Sequence, residues 1–338
     1  MDKSKGIFVA LVFMALALYP FVGGGGYGID IVTKIMIYAI LALSLELLVG
    51  TTGLVCFGQA AFFGIGAYAA VLFSGEQGAA SILWLLPASM LAAAVYALAV
   101  GALSLRTRGV YFIMVTLAFA QMAYFVVHDT PLGGGTDGIY LYFRPTLGEK
   151  LKFDEPLVMY LFSLGTLVFV FGFLTVLLNS RFGRALAGIR VNEQRMRGTG
   201  FTTYPYKLAA FVISGGLAGL GGALFAIKDG FVNPELMSWH LSGAALMMII
   251  LGGLGHLRGA LIGAFAFLLL QEFFKAEAIF GEFAKHWHLG MGIVIIAAVA
   301  VLPRGLVGLP EVLRKRLAGS GGGESRIGGL KSAQGGAK

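Results

Sequence analysis

The chain has 338 residues, of which 58% are hydrophobic and 12% are charged, and its mean hydropathy is +0.85. This composition excludes an ordinary soluble domain and indicates an integral membrane protein. The formal net charge of +8 is explained by basic loops that orient the chain in the membrane, so it does not indicate a nucleic-acid partner.

Ten apolar segments predict an all-α, polytopic transmembrane helix bundle. A helix needs about 20 mainly apolar residues to cross the roughly 30 Å of hydrocarbon in a bilayer. The predicted spans cover residues 7–23, 31–50, 56–75, 82–103, 109–127, 156–178, 208–227, 241–254, 259–274 and 289–303. The eighth and tenth are short. The third contains several glycines and Gln59, a pattern that is typical of a broken or partly re-entrant helix.

The distribution of Lys and Arg predicts that both chain ends lie in the cytoplasm. If the N-terminus is inside, most of the 25 basic residues fall on the same side, including Arg106, Arg258 and the connector 181–207. Cytoplasmic loops carry this positive bias. Residues 1–317 are therefore predicted to form the transmembrane domain, and the Gly- and Ser-rich tail 318–338 is predicted to be disordered and cytoplasmic.

Polar residues in or beside the apolar segments are candidates for a translocation path, because they are costly in lipid unless they meet water or a partner. The candidates are Glu46, Gln59, Gln121, Thr136 and Asp137. Glu46 and Gln59 could instead pair neighbouring helices. Thr136 and Asp137 belong to a Gly-rich turn whose backbone N–H groups could bind a carboxylate or could form only a turn.

The polar, Arg-rich connector at residues 181–207 is unlike the rest of the chain. Phe182, Leu186 and Ile189 recur at helical spacing on one side, while Arg184 and Arg190 lie elsewhere. This pattern predicts a short helix that lies flat on the membrane surface.

A second short helix is predicted after Asn192. This asparagine is a good N-cap, and Glu193 lies at the positive end of the helix dipole. Arg195 and Arg197 lie towards the negative end, and Gly200 can end the turn. Such a capped helix could transmit force as one body. Alternatively, the connector is a solvated positive loop that only sets topology.

Glycines recur at every fourth residue in two places. Gly215 and Gly219 form one series, and Gly255, Gly259 and Gly263 form another. Each series lines one face of a helix and allows a neighbouring backbone to approach closely. Packing within the chain is favoured over a contact between subunits.

The sequence predicts no catalytic residues and no metal site. His286 and His288 lack further ligands at metal spacing. No Gly-Lys dipeptide occurs, which excludes a standard phosphate-binding P-loop, so nucleotide hydrolysis would take place on another chain. An ion-coupled secondary transporter stays open as an alternative, although it leaves the connector unexplained. A membrane hydrolase is weaker, because no His-Glu-x-x-His occurs and Ser214 lacks the usual glycine pattern.

Several motifs occur in one order over residues 30–310. They are Gly53–Tyr68 (GLVCFGQAAFFGIGAY), Gly109–Ala118 (GVYFIMVTLA), Gly134–Ile139 (GGTDGI), Gly183–Arg190 (GRALAGIR), Asn192 and Glu193 with Gly200 behind them, Tyr206–Phe211 (YKLAAF), Ser214–Gly222 and Gly252–Gly263 (GGLGHLRGALIG). Together they resemble the permease subunits of branched-chain amino acid ABC transporters, LivM type.

This resemblance implies a subunit of an importer in the bacterial inner membrane. In that family the permease forms the path with a homologous second permease of the LivH type. Two cytoplasmic ATPase subunits bind ATP and Mg²⁺, and a periplasmic solute-binding protein delivers the cargo, so this chain is implied to bind no cofactor. The implied substrates are leucine, isoleucine, valine or related aliphatic amino acids, whereas related permeases carry urea or short amides.

The resemblance also implies that residues 192–200 form the coupling loop, which seats in a groove of the ATPase. The coupling residues that it implies are Arg190, Asn192, Glu193, Arg195, Met196, Arg197 and Gly200. One departure is visible, since Arg195 and Met196 stand where the strict loop pattern has two alanines.

Overall fold

The computed structural model describes residues 3–22, 25–75, 81–147, 151–153, 155–276, 281–302 and 305–308. The helices in these ranges are α1 (Lys3–Val22), α2 (Gly26–Glu46), α3 (Gln59–Ser74), α4 (Ile82–Ser104), α5 (Val110–Asp129), α6 (Pro156–Asn179), α7 (Arg181–Val191), α8 (Glu193–Gly198), α9 (Thr203–Asp229), α10 (Trp239–Gly252), α11 (Leu257–Lys275) and α12 (Trp287–Val301). A π-helical turn, Leu47–Thr52, continues α2. The predicted tail 318–338 lies outside the described residues.

Short turns and strands complete the described structure. The 3₁₀ turns are Pro131–Gly133, Gly135–Asp137, Pro234–Met237, Gly281–His286 and Leu306–Gly308. The strands form two antiparallel pairs, β1 (Ile139–Tyr140) with β4 (Phe231–Val232) and β2 (Thr146–Leu147) with β3 (Leu151–Lys152).

The predicted all-α bundle is confirmed, with one helix for each predicted span. Six of these helices are long and apolar enough to cross a bilayer: α2 with its π-turn, α4, α5, α6, α9 and α11. The apolar parts of α1, α3, α10 and α12 are shorter. The chain is therefore a multi-pass membrane protein. We call the end of the bundle that carries α7 and α8 the connector end, and the end with residues 130–147 the loop end.

Helices α2 and α9 form the centre of the bundle. Residues 35–46 of α2 and 214–227 of α9 are buried, whereas α4, α5 and α6 are exposed over much of their surface. Small residues allow this close packing, because a Cβ at Gly222 of α9 would overlap the Phe63 carbonyl of α3. A Cβ at Gly66 of α3 would likewise overlap Gly219.

Helix α3 starts inside the bundle and is short but continuous, since Gly64 and Gly66 lie within it and do not break it. Its first residue is Gln59, whose Nε2 donates to Ser44 Oγ at 2.7 Å and to Ser214 Oγ at 3.1 Å. At a helical rise of about 1.5 Å per residue, Ser44 lies roughly 12 Å along α2 from the end of the π-turn. Residues 53–58, which lead to α3, are not helical.

Helix α10 also begins inside the bundle, next to the start of α3. Near its first turn, Ser242 Oγ accepts a hydrogen bond from the Ala60 N–H at 3.0 Å. The preceding turn, Pro234–Met237, packs against α3, and the Met237 side chain occupies the space beside Gly64. The N-terminal ends of two partial helices therefore meet in the interior, where Ser242 satisfies one of the free N–H groups that begin a helix.

Candidate functional site

The connector folds into two helices that pack as one unit. In α7, Leu186 and Ile189 are buried against the bundle while Arg184 is exposed, so the predicted amphipathic helix is confirmed. Met196 of α8 lies over α7, with its Sδ 3.1 Å from the position of a Cβ on Gly188. The side chain that replaces a small residue of the family pattern thus packs α8 on α7.

The second connector helix has the cap that the sequence predicted. Asn192 Oδ1 accepts a hydrogen bond from the Arg195 N–H at 2.9 Å at the start of α8. The helix ends at Gly198, and Gly200 has a φ of +82°, a value in the left-handed region that favours glycine. The Arg195 side chain is exposed.

Glu193 joins α8 to the beginning of α9. Its Oε1 lies 2.9 Å from Lys207 Nζ, 2.9 Å from Thr203 Oγ1 and 2.7 Å from Arg197 Nη2. The Lys207 side chain is only 7% exposed, and that of Glu193 is 23% exposed. The sequence did not predict this contact, since it indicated a dipole role and an implied coupling role for Glu193 but no partner side chain. The one feature of the sequence that could have indicated the contact is Lys207, a lysine in the first turns of the apolar helix α9.

The electrostatic surroundings keep Glu193 ionised. Partial burial opposes ionisation, but hydrogen bonds from Lys207 and Thr203 and the charges of Lys207 and Arg197 outweigh it and lower the pKa of Glu193 to about 2. The carboxylate is therefore charged at every physiological pH. The anchor between α8 and α9 is a permanent one.

Arg190 and Glu46 lie together at the connector end. Arg190 Nη1 donates a hydrogen bond to the Gly50 carbonyl in the π-turn. Glu46 is 1% exposed, and its Oε1 accepts a hydrogen bond from the Gly255 N–H at 2.6 Å. The structure thus brings a predicted path residue beside a predicted coupling residue and a predicted packing glycine, a grouping that the sequence did not indicate.

A cavity of about 890 Å³ opens in the half of the bundle nearer the loop end. It lies among α2, α5, α9, α10, α11 and α12. Its floor is apolar and buried, with Phe225, Met248, Phe267 and Met291 each less than a tenth exposed. Further aromatic and aliphatic residues and several polar side chains complete the lining, and the polar ones include Lys34, Gln121, Asn233, Glu235, His240, Gln271 and His288. An apolar floor with charged and amide groups above it suits a small amphipathic solute.

The predicted path residues do not converge on this cavity. Gln121 lines it, and its Nε2 is buried without a hydrogen-bond partner. Gln59 is fully buried among Ser44 and Ser214, where it pairs α3 with α2 and α9. The sequence did not indicate that the other lining residues share one cavity, because they lie on different elements of the bundle.

The Gly-rich motif at the loop end forms consecutive tight turns. Gly134, Gly135 and Gly138 all have φ between +61° and +73°, so the turn needs glycine at these places. Thr136 and Asp137 are exposed or partly exposed, and their side chains lie 3.3 Å apart. They do not line the cavity.

The later glycine series packs α11 against α10. A Cβ at Gly259 would overlap the Gly253 carbonyl, and one at Gly263 would overlap the Met248 carbonyl. Gly255 lies before α11, with a φ of +87°. Gly215 and Gly219 of α9 face α4 in the same manner, where added Cβ atoms would overlap alanine side chains. Among the described residues, no group of three His, Cys, Asp or Glu side chains could hold a metal ion.

The comparison with known protein families shows to which family the chain belongs. A family model described as "Branched-chain amino acid transport system / permease component" matches residues 28–299. The chain belongs to this family. The matched region of this permease includes the cavity, the connector and the buried Glu46, and it leaves out all of α1.

Individual relatives of this permease agree with the family match. The chain is 31% identical to the high-affinity branched-chain amino acid transport system permease protein LivM of Escherichia coli (strain K12), over 95% of this chain and 79% of the relative. It is 25% identical to the probable branched-chain amino acid transport permease protein LivH of Methanocaldococcus jannaschii, over 47% of this chain and 51% of the relative. It is 31% identical to the autoinducer 2 import system permease protein LsrC of Escherichia coli (strain K12 / DH10B), over 34% of this chain and 35% of the relative. No solved structure matches the chain.

Proposed function

We propose that this chain is one of two homologous permease subunits of an ATP-driven importer for branched-chain or other aliphatic amino acids. The strongest support is the similarity to LivM, which extends over 95% of this chain. The partial similarity to LivH supports a second permease of related sequence as its partner. The two permeases form the translocation path between them.

In this proposal the chain lies in the bacterial inner membrane with the connector end in the cytoplasm. The connector carries Arg181, Arg184, Arg190, Arg195 and Arg197, and cytoplasmic loops carry such a positive excess. The loop end then faces the periplasm, where a solute-binding protein delivers the amino acid. Both chain ends are cytoplasmic, including the tail 318–338.

The ATPase subunits dock on the unit formed by α7 and α8 and supply the energy. Two features support this role: the helices pack on one another through Met196, and Glu193 ties α8 to the start of α9. A rigid, anchored unit moves the bundle when it is pushed, whereas a solvated loop bends. ATP and Mg²⁺ bind to the ATPase chains, and this permease contributes no catalytic group.

The cavity near the loop end is the entry to the path. Its buried apolar floor accommodates an aliphatic side chain, while Lys34 and Glu235 supply charges opposite to those of an amino acid's carboxylate and ammonium groups. Gln121 adds an amide whose Nε2 has no partner. Glu46, Gln59, Thr136 and Asp137 act away from this entry.

Reconstitution tests the proposal. The four-part assembly of both permeases and two ATPases is placed in proteoliposomes with ATP inside and leucine-loaded binding protein outside. Uptake of labelled leucine should require ATP and should continue when ion gradients are collapsed. Uptake that stops with the ion gradients and ignores ATP would favour the secondary transporter. Competition by excess urea or a short amide, without competition by isoleucine, would favour the other permease class.

A further inference from the structure

Glu46, the last residue of α2, is a buried carboxylate that lies outside the cavity. Its Oε1 accepts the Gly255 N–H at 2.6 Å, and the backbone of His256 also lies near the group. Its Oε2 is buried and makes no hydrogen bond of normal geometry. Because an incompletely paired carboxylate in the interior is costly, its presence calls for a functional reason.

Three separate elements meet around this carboxylate. The first is the π-turn after α2, where a Cβ on Gly50 would overlap the Glu46 carboxylate. The second is α7, whose Arg190 donates to the Gly50 carbonyl. The third is the turn between α10 and α11, where Arg190 Nη1 would lie 3.4 Å from a Cβ on Gly255. One arginine of the connector therefore donates a hydrogen bond to the π-turn after α2 and lies close to the turn between α10 and α11.

These elements can change shape more easily than the helices around them. π-helical turns occur frequently at functional sites, where an extra residue is held out of the regular helix. The turn between α10 and α11 has two glycines with positive φ, Gly253 at +117° and Gly255 at +87°, which tolerate backbone changes that other residues resist.

We infer that Glu46, Gly50, Arg190 and Gly255 form a latch that carries movement of the α7–α8 unit into the ends of α2 and α11. This inference rests on the proposed function. In the observed state Arg190 is bound to the Gly50 carbonyl, and Glu46 has one oxygen free. When α7 shifts towards α2, Arg190 exchanges the carbonyl for the free Oε2 of Glu46.

The exchange gives the two states different contacts, as any conformational switch requires. A hydrogen bond from an arginine to a carboxylate is stronger than one to a neutral carbonyl. Burial of Glu46 limits screening of this contact by salt. Glu46 is thus a positioning residue that acts through Arg190 and does not touch the solute.

The test uses the same reconstituted assembly and measures leucine uptake and ATP hydrolysis in one preparation. The variants are Glu46→Gln, which keeps the shape of the side chain but removes its charge, and Arg190→Gln. The matched control is Arg108→Gln, since Arg108 is an exposed arginine in the turn between α4 and α5 and lies outside the α7–α8 unit. All rates are divided by the amount of assembled complex.

Both latch variants should lower the leucine transported per ATP by about tenfold, within the usual range of coupling between sites. ATP hydrolysis itself should stay close to wild type, and Arg108→Gln should leave the ratio unchanged. Arg190→Lys should restore part of it. The double variant should be no worse than either single variant, because the two residues act through one contact.

Different outcomes would overturn different claims. Wild-type ratios in both latch variants, additive losses in the double variant, or a parallel fall of uptake and hydrolysis would each overturn the latch while ATP-driven uptake by the wild type stands. Absence of ATP-driven uptake in the wild type would instead overturn the proposed function.

Discussion

Lys207 Nζ lies 2.9 Å from Glu193 Oε1, and this contact fastens α8 to the first turns of α9. Helix α9 runs through the centre of the bundle, where residues 214–227 are buried. A displacement of the connector therefore reaches the interior through an ion pair and a continuous helix. Thr203 strengthens the same junction with a hydrogen bond to Glu193.

Reversal of the charge at this junction should uncouple the transporter. Glu193→Lys places a third cation beside Lys207 and Arg197 and a positive charge at the positive end of the α8 dipole. We expect leucine uptake per ATP to fall by about tenfold in the reconstituted assembly. Glu193→Gln, which can still accept the Thr203 hydrogen bond, should have a smaller effect. If Glu193→Lys left the leucine uptake per ATP unchanged, the proposed role of Glu193 in tying α8 to α9 would be refuted.

The junction should also respond to acid in a defined range. The pKa of Glu193 is lowered from 4.5 to about 2 in the folded chain. A lowered folded-state pKa means that the stabilisation is fully present above pH 4.5 and is lost as the pH falls towards 2. The unfolding temperature of the wild-type permease in detergent should exceed that of Glu193→Gln at pH 7, and the difference should shrink below pH 4.5. A difference in unfolding temperature that stays constant down to pH 2 would contradict the lowered pKa of Glu193.

The close contact of α9 with α3 should make Gly222 intolerant of substitution. A Cβ there would overlap the Phe63 carbonyl, so Gly222→Ala forces two backbones apart, at a cost of about 1–3 kcal/mol. Gly172→Ala in α6 is the matched control, because a Cβ at Gly172 meets nothing within 4 Å. Thermal unfolding of the purified permease should show a clear loss for the first variant only. Equal unfolding temperatures for the two variants would show that the contact between α9 and α3 does not limit the stability of the permease.

A larger side chain in the cavity should obstruct uptake. Ala244 of α10 lines the cavity, so Ala244→Phe should lower the rate of leucine uptake several-fold while the amount of assembled complex stays the same. The matched control is Gly243→Phe, one residue earlier. Gly243 does not line the cavity, and a Cβ there would meet nothing within 4 Å. Normal uptake by the Ala244 variant would place the path elsewhere.

Most of the fold could be predicted because each apolar segment carries its own signal. Length and composition located the helices, and local spacing located the amphipathic face of α7. The cap at Asn192 depends on atoms only three residues apart, so it too was visible in the sequence. Helix α9 begins at Thr203, several residues before its predicted start, because Thr203 and Lys207 are held by Glu193.

Contacts between distant segments could not be predicted in this way. Glu46 meets Gly255 across 209 positions of the chain, and Gln59 meets Ser214 across 155. A polar residue in an apolar segment indicates that a partner exists, but it does not indicate which helix supplies it. The cavity was missed for the same reason, since its lining comes from six helices that only the packed bundle brings together.

The hydrogen bond between Ala60 and Ser242 also bears on how the protein is made. Its two partners are 182 positions apart, and the 16 residues of α3 fall short of the roughly 20 that insert securely on their own. During synthesis, α3 emerges well before α10 exists. We therefore expect α3 to settle in the bilayer only when α10 arrives, so that chains truncated before α10 become early targets of membrane proteases.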